Sequence, residues 1–416
     1  MIDIELIRNN TEDVKRRIAR KGVNPESIDE VKRLDKQKRA LQTECEAFQS
    51  RLNLLSKEIS KEFGQKKLDL VTEASQVGAE VDKIKPRLEE MDADLRKAIM
   101  QLPNLPLDDV IDGASDKNNK TIYEKGDVKK LDFIPKDHIE LAKLHDLIDF
   151  DAASAASGSR FVYLKNKLAI LDFALMRFGL DEVVKKGFVP VLPPILLKKE
   201  VMEAAGYLQQ GEDEIYHTQD DLYLAGTAEQ PLLALHANQT INADKLPLRY
   251  VGYSSCFRRE AGSYGKDVKG MIRMHQFQKL EMFSFVEPEK AEEEHLFIRQ
   301  IEEELMQKLE IPYRVVDICV GDLGASAAKK WDIEAWMAGQ NEYRETHSCS
   351  NCTEFQSRRM NIKYRSSAGT KFVATINGTV FSERPLIAIL ENNQNKDGSI
   401  VIPKVLVPYC GFDLIK

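Results

Sequence analysis

The sequence predicts an α+β protein: an antiparallel helical hairpin at the N-terminus, followed by a larger domain built on an antiparallel sheet flanked by helices. Three observations predict it. Apolar residues recur at alternating spacings of four and three over two long N-terminal stretches. A Pro- and acid-containing segment then interrupts the pattern. Beyond it, strand-like and helix-like segments follow one another without regular alternation, which disfavours a doubly wound parallel sheet. A length of 416 residues suits two domains rather than one. We place the boundary between 1–103 and 104–416.

The first helix of the hairpin is carried by Leu41, Cys45, Phe48, Leu52, Leu55 and Ile59, with Val31 and Leu34 upstream and Lys38 interrupting. The second is carried by Leu70, Ala74, Val77, Val81, Ile84, Leu88, Met91, Leu95, Ala98 and Leu102. This is the seam of a left-handed coiled coil. Gly64-Gln65-Lys66-Lys67 reads as the connection, and so short a link folds the helices back on each other. About 30–35 residues per helix give an arm of roughly 50 Å. Pro86 removes one ladder bond and is expected to kink or loosen the second helix. Lys32, Arg33, Lys36, Lys38 and Arg39 crowd the first helix, and Lys57, Lys61, Lys66 and Lys67 lie near the tip. On a chain of net charge −7, such a local basic stripe suits a phosphate backbone. The bland alternative is a solvated face with ordinary ion pairs, since glutamates are interspersed.

Residues 101–117 read as a linker. In the larger domain, Leu164–Lys185 and Glu289–Leu309 read as amphipathic helices. Ser382–Asn392 runs from an arginine into a buried helix. Gly187–Pro194, Leu248–Phe257, Lys279–Phe285 and Tyr313–Cys319 read as strands. The apolar runs are too short to span a bilayer, and the first residues lack the pattern of a secretory leader. Six scattered cysteines fit a reducing compartment, so a cytoplasmic, membrane-free protein is expected.

Two segments are chemically dense. The first runs Cys256-Phe257-Arg258-Arg259-Glu260, then a loop with Gly262, Gly265 and Gly270, then Met271 to Phe277. An arginine leaving a strand can fork onto a phosphate, and Lys266 and Lys269 in the loop suit a polyanion. Phe277 can stack a base. The second is Glu345-Thr346-His347-Ser348, where Glu345 and Ser348 supply the oxygen donors a Mg²⁺ ion takes. Cys349 and Cys352 form a lone CxxC with no partner motif at zinc spacing, so no zinc is expected. His275 reads as a packed or orienting residue, and Trp331, Ile333 and Trp336 as core. Neither common nucleotide loop, GxGxxG or GxxxxGK[ST], is present.

Taken in order, these motifs resemble the seryl-tRNA synthetase family of class II aminoacyl-tRNA synthetases along nearly the whole chain. KGFVPVLPP at 186–194, CFRREAGSYGKDVKGMIRMHQFQKLEMF at 256–283 and ERPLIAILEN at 383–392 are similar to the three class II motifs. TAEQP at 227–231, GDLGASAAKKWDIEAWM at 321–337, ETHSCSNC at 345–352 and FQSRRMNIKYR at 355–365 carry the seryl signature. The resemblance implies a class II catalytic domain with a seven- or eight-stranded antiparallel sheet. It also implies ATP and Mg²⁺, activation of L-serine to the seryl adenylate, and transfer to tRNA(Ser), with tRNA(Sec) served where selenocysteine is used. A homodimer that binds tRNA across its subunits is implied as well.

Residue roles follow from the same resemblance. Thr227, Ala228, Glu229, Arg258, Glu281 and Thr379 correspond to serine-binding positions. Arg258, Arg259, Glu260, Phe277, Glu345, Thr346, His347, Ser348 and Arg384 correspond to ATP-binding positions, with Glu345 and Ser348 at the Mg²⁺. Arg258, Glu345 and Arg384 carry the catalysis. Arg33, Lys36, Arg39, Lys57 and Lys61 are the expected tRNA contacts of the arm. The chain departs from the family pattern in four places: Glu383 for glycine, Thr379 where serine is frequent, Gln230 for a small apolar residue, and five steps from Thr379 to Arg384 instead of six. An acid next to Arg384 can pair with it and weaken its hold on phosphate.

Overall fold

A computed structural model describes residues 1–261 and 270–416. Gly262, Gly265, Lys266 and Lys269 of the expected phosphate loop lie outside the described residues. The chain divides into two compact units, Ile2–Pro103 and Asn104–Lys416.

In the first unit, α1 (Ile4–Asn9) and α2 (Thr11–Arg20) precede the long helices α3 (Glu26–Ile59) and α4 (Gly64–Met100). The counted seam is the buried one: Leu55, Val81, Ile84 and Leu95 are inaccessible, and the residues between heptad positions are mostly exposed. The connection falls earlier than the sequence suggested. Ser60–Phe63 makes the turn, and Gly64 already begins α4. Pro86 does not break α4, which is one helix on either side of it. Lys38, the misfit in the first heptad run, reaches across to Asp92 in an ion pair, and Arg51 reaches Glu73 at 2.6 Å. At the base, buried Asp35 accepts from Arg8 Nε at 2.8 Å and Arg39 Nε at 3.0 Å.

The second unit is organised by an eight-stranded sheet. Its strands are β1 (Lys120–Lys125), β2 (Val189–Val191), β3 (Leu248–Phe257), β4 (Gln276–Val286), β5 (Tyr313–Asp317), β6 (Lys329–Met337), β7 (Glu342–Asn351) and β8 (Ala374–Ser382). Their order is β1-β5-β6-β7-β8-β4-β3-β2, antiparallel throughout except the β2–β3 pair. The helices used below are α5 (Phe150–Ser157), α6 (Asn166–Lys185), α7 (Glu229–Ala234), α8 (Ala291–Lys308), α9 (Phe355–Met360) and α10 (Arg384–Asn392). Residues 104–110 are less of a linker than their composition suggested. They form no regular element, yet Asn104 Nδ2 donates to the Ser326 and Cys352 carbonyls at 2.8 Å, and Leu105 and Val110 are buried.

Close approach fixes both faces of the sheet. At Gly378 in β8, an added Cβ would stand 2.2 Å from Ile298 Cγ2 and 2.9 Å from Glu302 Oε1, so α8 lies directly on that strand. At Gly252 in β3, a Cβ would meet Ala228 and Leu232 of the opposite layer at 3.0 Å, so α7 packs there. Gly378 needs a residue without a side chain, and at Gly252 any side chain would make Ala228 and Leu232 give by a few tenths of an ångström.

Candidate active site

Strand alternation decides which side chains face the cavity of about 330 Å³ on the α7 side of the sheet. In β4, Phe277, Lys279 and Glu281 face it, while Leu280 and Met282 go to the core. Two β-bulges then do what plain alternation does not. In β7 the pairing with β6 slips between Glu345 and His347, so Thr346 is the extra residue. The slip puts Glu345 on the same face as Ser348 and Ser350. His347 is sent to the back, buried, with its ring 5.7 Å from Phe381. Burial pushes the His347 imidazole down to about 3, so it is neutral there. In β8 the pairing with β4 slips between Thr379 and Phe381. Asn377 and Thr379 face the cavity, Phe381 faces back, and Ser382 faces the cavity again. Glu383 and Arg384 follow, and Arg384 opens α10 at the cavity wall.

Arg258 leaves the end of β3. Its Nε donates to the Gly226 carbonyl at 3.2 Å, and its guanidinium lies 5.2 Å from the Phe277 ring centre. Gln230, one of the departures, does not line the cavity. Its Oε1 accepts from Gly226 N at 2.9 Å and so braces the turn that anchors Arg258. The His275 backbone carbonyl accepts from Arg258 N at 3.0 Å, and its Nδ1–H donates to the Arg258 carbonyl at 2.9 Å. That is the orienting role the sequence suggested for His275. In the same cavity, Arg384 pairs with Glu345 Oε2 at 3.1 Å and donates to the Glu345 carbonyl at 3.0 Å. Burial would raise the Glu345 carboxyl, but Arg384, Lys330 and Arg258 together hold it well below the usual range. Lys330 pairs in turn with Asp332 at 3.1 Å, and burial pushes Asp332 up to about 7.

At the inner end, Glu229 and Glu281 are both buried. Glu229 accepts from Gln356 Nε2 at 2.6 Å and from the Tyr207 hydroxyl at 3.1 Å. Burial, reinforced by the Glu281 charge, pushes Glu229 up to about 6. Glu281 is paired with Lys279 at 2.6 Å and stands opposite Thr379 across the β4–β8 pairing. Glu260 accepts from Arg273 at 3.0 Å at the mouth.

The arrangement gathers most of the expected site residues. Glu229, Arg258, Glu260, Phe277, Glu281, Glu345, Thr346, Ser348, Thr379 and Arg384 line one cavity. It does not gather all of them. His347 faces the core. Arg259 is exposed and does not line the cavity; its backbone N donates to the Glu214 carbonyl at 2.8 Å. Ala228 is spent on packing at Gly252. Thr227 lies behind the lining, where its Oγ1 accepts from Glu229 N at 3.3 Å and Lys279 Nζ at 3.5 Å. The feared pairing of Glu383 with Arg384 does not occur: Glu383 Oε1 accepts instead from Gln278 N at 2.5 Å.

Sequence reasoning missed Tyr207, Lys279, Lys330, Asn377 and Gln356. Lys279 and Asn377 were discoverable by alternation from Glu281 and Thr379. Tyr207 comes from a distant turn and left no local signal. Of the expected arm contacts, Arg33 bonds Glu30 at 2.6 Å and Arg39 is tied to Asp35. Lys36, Lys57 and Lys61 are exposed, with no ion-pair partner among the described residues.

A largely antiparallel sheet with two arginines lining one cavity on it, one after a strand and one opening a helix, is the arrangement of a class II aminoacyl-tRNA synthetase core. Residues 212–393 match the tRNA synthetase class II core domain (G, H, P, S and T). Residues 1–106 match the seryl-tRNA synthetase N-terminal domain. The serine–tRNA ligase of Thermobifida fusca is 42% identical over 100% of this chain and 99% of its own. The seryl-tRNA synthetase of Pyrococcus horikoshii, solved with ATP, superposes with a TM-score of 0.94 at 40% identity, covering 100% of this chain and 99% of that one. The cytoplasmic serine–tRNA ligase of Naegleria fowleri, solved with AMP, gives 0.89 at 29% identity over 100% and 99%. The chain belongs to the seryl-tRNA synthetase family of aminoacyl-tRNA ligases.

Proposed function

We propose that the chain activates L-serine with ATP and transfers it to tRNA(Ser). The observation that carries this is the convergence of Arg258, Glu281, Glu345 and Arg384 on one cavity. In the first step a serine carboxylate oxygen attacks the α-phosphorus of ATP. The bond to the β-phosphate oxygen breaks, and pyrophosphate leaves. Serine's carboxylate is already ionised near neutral pH, so the step needs positioning and charge neutralisation rather than a base. Arg258 neutralises the α-phosphate and the serine carboxylate, and Arg384 neutralises the far end of the triphosphate. Phe277 carries the adenine beneath Arg258, with Glu260 at its edge. In the second step the 3′-hydroxyl of the terminal tRNA adenosine attacks the acyl carbon and AMP leaves.

Glu229 takes the ammonium group of serine, and Glu281, aligned by Lys279 and Thr379, takes the hydroxyl. Alanine leaves those buried polar groups unpaired and is rejected strongly. Glu345 and Ser348, oxygen donors on one face of β7, fit a hard cation and would hold Mg²⁺. Such an ion supplies neutralisation of the departing pyrophosphate charge. Residues 1–103 form the tRNA-binding domain, with Arg33, Lys36, Arg39, Lys57 and Lys61 on phosphates, and 104–416 form the aminoacylation domain. The chain works as a homodimer that binds tRNA across subunits, and it serves tRNA(Sec) where that tRNA exists. Six free cysteines favour a cytoplasmic location, and no described helix is long and apolar enough to cross a membrane.

Pyrophosphate exchange across serine, alanine, threonine, glycine and cysteine, with and without tRNA, tests the reading. Serine alone should exchange strongly without tRNA. Equal exchange with alanine would overturn the assignment of the pocket. A synthetase-like enzyme loading another carrier would form adenylate without charging tRNA, and a scaffold protein would form none.

A further inference from the structure

Glu391 is a fully buried acid that no step above uses. It sits on the last turn of α10, the helix that Arg384 opens. Four donors meet its carboxylate. Oε1 accepts from His138 N at 3.0 Å, from the His138 ring at 2.9 Å and from Gln340 Nε2 at 3.0 Å, and Oε2 accepts from Gly339 N at 2.9 Å. Gly339 and Gln340 belong to the turn between β6 and β7. His138 opens a short helix, His138–Leu144, ahead of α5, and is itself buried.

The His138 ring works in two directions. Its Nε2 accepts from the Met271 backbone N at 3.2 Å. A backbone N–H can only donate, so Nε2 is bare, and Nδ1 carries the proton that it donates to Glu391. Each contact requires the other. The approach is close: at Gly270 an added Cβ would stand 2.3 Å from His138 Nε2, so the backbone lies directly on the ring.

Beyond Gly270 the chain becomes cavity wall. Met271, Ile272, Arg273 and Met274 line the ATP cavity. The Ile272 carbonyl accepts from Arg384 Nε at 3.3 Å. The contacts therefore close a ring. It runs from Arg384 along α10 to Glu391, a rise of about 10 Å. It crosses to His138, passes to Met271 N, and returns through the Ile272 carbonyl to the Arg384 guanidinium. His138 does not itself line the cavity. Loss of its Nε2 takes the acceptor from a buried backbone N–H at the start of the wall.

We propose that His138 is a positioning residue for ATP: through Met271 N it holds the 271–274 wall, and through the Ile272 carbonyl it sets where the Arg384 guanidinium meets the triphosphate. The proposal deepens the ligase reading and rests on its assignment of the ATP cavity. A merely structural His138 would do no more than give Glu391 a donor and fill space.

Amide side chains separate the two roles. Asparagine places its amide nitrogen where Nδ1 stands and so keeps the Glu391 contact, whereas glutamine can bring its amide oxygen to the place of Nε2 and keep the Met271 contact. The full-length protein is compared with His138→Gln, His138→Asn and His138→Ala in serine-dependent pyrophosphate exchange. The KM for ATP should rise about tenfold in His138→Asn and His138→Ala and stay within about threefold in His138→Gln, while the KM for serine changes less than about twofold in all three. Gly270→Ala breaks the same contact from the other side and should reproduce the ATP defect. It decides the matter if circular dichroism shows that the His138 variants do not fold. His138→Gln behaving no better than His138→Asn, an unchanged KM for ATP in folded His138→Ala or Gly270→Ala, or equal rises for ATP and serine would overturn the proposal. Calorimetric titration with ATP alone makes the same comparison without serine. Failure of the unsubstituted protein to activate serine strikes the ligase reading, whereas a wrong pattern among the variants strikes only the role of His138.

Discussion

Removing the guanidinium of Arg258 tests the site where it is narrowest. The side chain is oriented by the Gly226 carbonyl and rests over Phe277, so its loss removes charge without emptying the core. Arg258→Ala should lower serine-dependent pyrophosphate exchange by about 10³-fold while circular dichroism stays unchanged. Near-normal exchange would remove Arg258 from the site. Glu229 makes a prediction in pH. Its carboxyl titrates near 6 because it is buried beside Glu281. Above that pH it is ionised and can hold the serine ammonium; below it, it is neutral. The kcat/KM for serine should therefore fall about tenfold per pH unit below about 6, and Glu229→Gln should abolish that limb of the profile. A limb that survives in Glu229→Gln would assign the titration elsewhere. At this scale the motifs named most of the cavity residues, but they misplaced His347. A contiguous ETHS string hides the bulge at Thr346, which sends neighbouring residues to opposite faces.

Among elements, the long helices and the strands β2 to β5 were legible, whereas the edge strand β1, the short helices and the central strands β6 to β8 were not. The coiled-coil helices show a period because one face meets water and the other does not. β6, β7 and β8 lie at the centre, and every residue of β8 is buried, so no alternation marks it in the sequence. The bulges in β7 and β8 shift the remaining phase. The shortened spacing from Thr379 to Arg384 has a place in this geometry: the β8 bulge returns Ser382 to the cavity face, so Arg384 still reaches Glu345. What fixes β8 from behind is α8 at Gly378. Gly378→Ala sets a methyl group 2.2 Å from Ile298 Cγ2 and should destabilise the protein by about 1–3 kcal/mol. An unchanged urea midpoint would show that α8 is not seated on the strand.

For the whole molecule, the division of labour between the two units is open to a direct cut. The hairpin seam is narrow, and the base of the first unit is held separately by Asp35 with Arg8 and Arg39. Replacing Gln42–Leu88 by a short Gly/Ser turn keeps that base and the Lys38–Asp92 closure while removing Lys57 and Lys61. On the proposed division of labour, pyrophosphate exchange should change by less than about twofold, whereas charging of tRNA should fall by about 100-fold as the proposed phosphate contacts vanish. Equal loss of both activities would make the hairpin a structural support. A gentler version separates charge from shape. Lys36, Lys57 and Lys61 are exposed and unpaired among the described residues, while Arg33 and Arg39 already serve Glu30 and Asp35. Substituting the three lysines by alanine should flatten the dependence of tRNA affinity on salt by about one unit of log–log slope per lost contact. Substituting Arg33 and Arg39 should flatten it less, because their carboxylate partners already neutralise part of their charge. If the arginines prove to govern the slope, the ion pairs of the free arm must open when tRNA docks.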